Sequence, residues 1–133
     1  RKIISWVLSE TLEASHVVKC IEKAKQSRHI ENPLIFHCDR GCQYVSEAFH
    51  KATEGMIHSY SKKAYPWDNA CIESFHALLK REWINRFKIF NYTHAYKLIF
   101  EYIETFYNTV RIHSHCGYLS PNNLEMNVTY LAS

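Results

Sequence analysis

Apolar residues in the first half of the chain alternate between short continuous runs and a helical period, and that alternation is what most narrows the architecture. Ile3, Ile4, Trp6, Val7 and Leu8 form a β-rich run that stops at Ser9 and Glu10, and they predict a first strand. Ala14, Val17, Val18, Ile21 and Ala24 then recur at helical spacing with Lys19, Lys23, Lys25 and Arg28 around them, which predicts an amphipathic helix of about four turns. Asn32 and Pro33 interrupt that pattern before Leu34 to Cys38, whose continuous apolar character predicts a strand buried in a sheet. Ser46 caps a predicted helix from Glu47 to about Glu54, Gly55 ends it, and Met56 to Tyr60 reads as a third strand.

The second half changes character. After the basic loop SKKAYPW, Asp68 is the expected N-cap of a long helix from Asn69 to about Phe87, with Ile72, Phe75, Leu79 and Trp83 in one stripe. A second long helix is expected from Thr93 to Val110, its inner face made by Ala95, Ile99, Tyr102, Ile103, Phe106 and Val110. An irregular tail with Gly117 and Pro121 closes the chain. The sum is an α/β domain whose sheet is small for its helices.

With 133 residues, 47% of them hydrophobic, the chain has material for one ordinary domain with its own core. No run approaches the length of a membrane span, and RKIISWVLSE lacks the order of a signal peptide, so a soluble cytoplasmic protein is expected. The cysteines, Cys20, Cys38, Cys42, Cys71 and Cys116, are odd in number and scattered through predicted core elements, which favours reduced thiols over a disulfide framework. A formal charge of +3 with nine histidines points only weakly to a polyanionic partner.

Two acids carry the chemistry. Asp39 emerges at the end of a predicted strand and Glu73 lies near the start of a predicted helix, with 33 residues between them. Carboxylates from separate elements can converge on Mg²⁺ or Mn²⁺, and such sites drive phosphoryl transfer. A strand end and a solvated helix surface account for the same residues without chemistry. Asn69, Glu73, His76 and Lys80 share a helical face that suits a metal and a DNA phosphate, or simply water. Lys62 and Lys63 mix with Tyr65 and Trp67 as on nucleic-acid surfaces, although rings packed on the sheet would also explain them. His37, Cys38 and Cys42, like His113, His115 and Cys116, lack zinc-ligand spacing, and no context supports Cys42 with His37 as a nucleophile pair.

The ordered segments HCDRGCQY, SYSKKAYPWDNACIESFHALLKREW and YIETFYNTVRIHSHCGYLSP closely resemble the catalytic core of bacterial insertion-sequence transposases, in the retroviral-integrase-like DDE superfamily. The resemblance covers Arg1 to about Glu125, leaving 126–133 as a tail. It implies an RNase H-like fold in which metal-activated water hydrolyses a phosphodiester at the element end. The freed 3′ hydroxyl then attacks another phosphodiester, with no covalent enzyme intermediate. By motif position Asp39 resembles the second acid of the triad and Glu73 the third, together holding Mg²⁺ or Mn²⁺. Asn69 and Lys80 match positions that approach donor DNA, and Arg40, Lys62 and Lys63 are expected DNA contacts. The implied partners are insertion-element ends, target DNA and further copies of the chain.

Two departures qualify the resemblance. The spacing of the two acids is slightly short, which a small deletion between Phe49 and Ser61 explains. The family's first aspartate lies on a strand before the run at Ile3, and this sequence starts after it; Glu10 and Glu13 come too late to replace it. The expected sheet is therefore reduced, with its first two strands missing. Either the first strand moves beside Leu34 to Cys38, or a second copy supplies the pairing. The expected consequence is a chain inactive alone; the alternative is a non-catalytic remnant that binds DNA or oligomerises.

Overall fold

The computed structural model describes residues 1–30, 33–62 and 65–132. The chain forms two compact units, one of residues 4–70 and the other of residues 1–3 with 71 onward.

In the first unit, helix α1 (Ala14–Ser27) precedes a βαβ unit of strand β1 (Ile35–Cys38), helix α2 (Glu47–Ala52) and strand β2 (Ile57–Tyr60). The strands are parallel, with Ile35 opposite Ile57 and Cys38 opposite Tyr60. Ser46 caps α2 as expected, its hydroxyl oxygen accepting from the Phe49 N–H at 3.2 Å. Gly55, at φ 82°, turns the chain toward β2, a conformation that glycine adopts without a Cβ penalty. Ile21, Cys38 and Phe49 are the buried centre, with Val17, Phe36, Tyr44, Ala52 and Tyr60 packed around them. Phe36 and Tyr44 both meet the Phe49 ring edge-on.

Two expectations for this unit are corrected. The sheet has only β1 and β2 among the described residues, so Ile3 to Leu8 is extended chain and does not pair with β1. Nor is β1 buried on both faces: Phe36 and Cys38 turn inward while Ile35 stays 65% exposed, because helices cover one face only. Asn32 lies outside the described residues.

In the second unit, α3 (Ala70–Glu82), α4 (Tyr92–Phe100) and α5 (Pro121–Ala132) pack around Phe75, Leu98, Tyr102, Ile103, Tyr107 and Cys116. Ile3 enters this unit, and the Asn108 side-chain amide takes both its N–H and its carbonyl at 3.0 Å. That amide stands where a neighbouring strand was expected. The first long helix stops at Glu82 and not at Phe87, since Trp83 leaves helical geometry (φ −134°, ψ −69°) and packs its ring against Tyr102 and Phe87. Ile72, expected on the inner stripe, is exposed.

The second long helix widens into a π-helical stretch over Glu101–Tyr107. The wider turn rotates the face that follows, burying Tyr107 and Asn108 and leaving Val110 63% exposed. The expected irregular tail is largely α5, which opens on Pro121; a first helical position needs no N–H. The expected boundary after Glu125 falls inside that helix.

A half-buried ionic cluster ties the second unit together. Arg111 donates to both Glu82 carboxylate oxygens at 2.7 Å, and the Tyr102 hydroxyl donates to the same carboxylate at 2.8 Å. The Arg111 hydrogen bonds hold the Glu82 carboxyl below its ordinary value, whereas burial and then Glu82 push the Tyr102 phenol up. Arg111 also donates to His113 Nδ1 at 3.1 Å, and burial holds that imidazole below its ordinary value. A carboxyl depressed on folding stabilises fully above its unfolded value and loses that contribution as pH falls through the folded one. Glu82→Gln is therefore expected to cost about 1–3 kcal/mol near neutrality. The gap to wild type should close as pH drops below 4.5, the ordinary glutamate value. Denaturant midpoints between neutrality and acid measure it, and a gap independent of pH would contradict the assignment.

Candidate functional site

The pleat of β1 decides what its end presents. Cys38 turns into the core, where burial and then Asp39 raise its thiol pKa, so Asp39 emerges exposed as the strand finishes. The Gly41 N–H donates to Asp39 Oδ1 at 2.8 Å, while the other carboxylate oxygen has no hydrogen bond among the described residues. A Cβ at Gly41 would lie 3.0 Å from that Oδ1 and 2.9 Å from Gln43 Oε1, so the missing side chain admits the carboxylate to its turn. Burial, followed by the Asp39 charge, also raises the Tyr44 phenol.

His37, on the outer face, clasps three elements. Its Nε2–H donates to the Asp68 carbonyl at 3.1 Å, which leaves Nδ1 to accept from the Ser59 hydroxyl at 2.9 Å. Ser61 Oγ lies 3.2 Å from the same Nε2. With both ring nitrogens engaged, His37 is no base for Cys42. The signal was present in the sequence: Ser59 lies opposite His37 in the register of β2, and Ser61 follows two residues on, just past the strand's end.

Asp68 is not the helix cap it was expected to be. Its carboxylate accepts from the Lys62 N–H at 2.9 Å, closing the loop back on itself, and a 3₁₀ turn over Pro66–Asn69 leads into α3. Asn69 belongs to that turn, so the expected face of Asn69, Glu73, His76 and Lys80 is helical only from Glu73 onward. Glu73 sits exposed in the first turn of α3 and Lys80 exposed in the last, each at the end whose dipole favours its charge. Arg40 and Lys62 are exposed, and Lys63 lies outside the described residues.

Asp39, Arg40, Lys62 and Asn69 belong to the first unit, and Glu73 and Lys80 to the second. No group of three histidine, cysteine, aspartate or glutamate side chains among the described residues could hold a metal ion. The cysteines are all free thiols, and no helix of the described residues is long and apolar enough to cross a membrane.

An integrase core domain family matches residues 54–121, and a second family of the same description matches residues 1–66. The chain belongs to the integrase core domain family. It is similar to the transposase for insertion sequence element IS904 of Lactococcus lactis, at 40% identity over 94% of this chain and 50% of that protein. It is also similar to the transposase InsF for insertion sequence IS3A of Escherichia coli, at 35% identity over 94% of this chain and 44% of that one. The chain spans about half the length of the curated relatives it matches.

If His37 is the clasp that sets the Asp68 turn, His37→Ala should speed hydrogen exchange at the Asp68 and Ala70 amides, both bonded within that turn. The exposed position limits the stability loss to about 1 kcal/mol. Unchanged exchange at those amides would refute the clasp.

Proposed function

We propose that this chain carries the second and third acids of a DNA transposition site, Asp39 and Glu73, within an RNase H-like core. The supporting observation is that both carboxylates stand exposed at element ends, where neither is consumed by an internal ion pair. Their hard oxygens suit Mg²⁺ or Mn²⁺, although two acids fall short of a full set. Such ions, when bound, supply charge neutralisation at the scissile phosphate and an acidified water. The chain's own part is to fix Asp39 through the Gly41 N–H and to leave one oxygen open.

The DNA substrates are element ends and target, met by Arg40, Lys62, Lys63, Asn69 and Lys80, in the cytoplasm where such DNA resides. With Asp39 and Glu73 supplying two of three acids, the 133-residue chain by itself neither cleaves nor joins DNA. Incubating the purified 133-residue chain with Mn²⁺ and element-end duplex is expected to yield no strand-transfer product. Calorimetry should show weak Mn²⁺ binding that Asp39→Asn with Glu73→Gln abolishes. Strand transfer by this chain alone would overturn the assignment.

A second reading, an oligomerising or DNA-binding module without catalysis, is favoured by the free edge of β1. Leu34 and Cys38 direct their carbonyls to the Ile57 and Ser61 N–H groups of the β2 side, so the Ile35 and His37 backbone groups face the other way. They have no backbone partner among the described residues. Beside that edge Ile4, Ile21, Leu34, Phe36 and Met56 line an apolar cleft of about 440 Å³. A strand from a second copy would satisfy both features. Light scattering is then expected to give a dimer, and Ile35→Pro, which removes an outward N–H, a folded monomer. A monomeric wild type would remove this reading.

A further inference from the structure

The turn between β2 and α3 is strapped at several of its described residues. The Lys62 carbonyl accepts from the Tyr65 N–H, the Tyr65 carbonyl from the Asp68 N–H, and the Trp67 carbonyl from the Ala70 N–H. The Asp68 carboxylate takes the Lys62 N–H, and the Asp68 carbonyl takes His37 Nε2–H. The backbone around Trp67 is therefore held to both strands of the sheet, while its indole is 76% exposed. Tyr65, two positions earlier, is half-exposed. Packing of these rings on the sheet, which would have explained them structurally, does not occur.

A large flat ring presented to solvent on a braced turn differs from a surface hydrophobe on a mobile loop. Its backbone is set before any ligand arrives, so the freedom lost when a flat partner covers it is that of the side chain alone. Lys62 is exposed and tied to the turn through its N–H, which the Asp68 carboxylate takes, and Arg40 is exposed in the same unit. An aromatic face near an ammonium group fits a nucleobase attached to a phosphate backbone.

We propose that Trp67 is a stacking platform for an unpaired base of the bound DNA, with Lys62 holding the adjoining phosphate. This rests on the reading of the chain as a DNA-binding transposase core, and it specifies the substrate: DNA whose bases are accessible at the bound position, such as a frayed or single-stranded end. A fully paired, blunt duplex offers Trp67 only its terminal pair.

The test compares fluorescently labelled duplex carrying a short single-stranded end with the same duplex made blunt, both bound to the 133-residue chain. Trp67→Ala is expected to weaken binding of the tailed duplex by about tenfold, within the range found for base–aromatic stacking, and to change blunt-duplex binding little. Trp67→Phe should recover part of the loss. The dependence of affinity on salt should be unchanged by Trp67→Ala, whereas Lys62→Ala should make it shallower by about one unit of slope. The preference for the tailed duplex should persist in Asp39→Asn with Glu73→Gln, which separates this proposal from the assignment of the acids. Equal weakening on both duplexes, or none, would overturn it. So would a Trp67→Ala change in oligomeric state with DNA binding intact, which would assign the ring to a protein contact.

Discussion

The packing of Phe36 and Cys38 against Phe49 sets the register of β1, and what the strand presents follows from it. Side chains alternate across a strand, so burying those two sends Ile35, His37 and then Asp39 outward. A slip by one residue would bury a histidine without its serine partners and direct the aspartate toward the core. The same alternation on β2 brings Ser59 and Ser61 to His37, and through His37 the Asp68 turn is fixed to the sheet. One apolar contact thus sets an acid, a clasp and the approach to α3.

Hydrogen-bond commitments separate the acids by what each can still do. Glu82 is saturated by Arg111 and Tyr102, and Asp68 is committed to a backbone N–H; removing either would leave a donor unsatisfied. Asp39 gives one oxygen to Gly41 and keeps one open, and Glu73 makes no ion pair or hydrogen bond among the described residues. A carboxylate that binds a cation must not already be neutralised. By that criterion both Asp39 and Glu73 have capacity left.

Much of this was legible beforehand, for identifiable reasons. The cap at Ser46, the turn at Gly55 and the existence of strands β1 and β2 rest on local chemistry, which sequence states directly. What was not legible depended on distant partners. Ile3 carries its strand-like pattern to an asparagine side chain far along the chain, and no local property of Ile3 announces that. The π-helical stretch shifts the buried face to Tyr107, which a constant helical period cannot anticipate. Asp68 was misassigned as a cap because its true partner, the Lys62 N–H, also lies close by, and short-range alternatives compete at such residues.

Charge alone would hold DNA poorly. The formal excess is only +3, and among the cations Arg111 is held by Glu82 and Lys2 by Glu125. Of the residues proposed to meet DNA, the exposed cations among the described residues are three, Arg40, Lys62 and Lys80. Each phosphate contact adds about 0.9 to the salt dependence of binding, so three contacts give a shallow dependence and modest affinity. Specific engagement must draw on something salt does not screen. On the described surface of the first unit, the exposed rings of the Asp68 turn meet that requirement, because stacking depends on contact area and orientation rather than on counterion release.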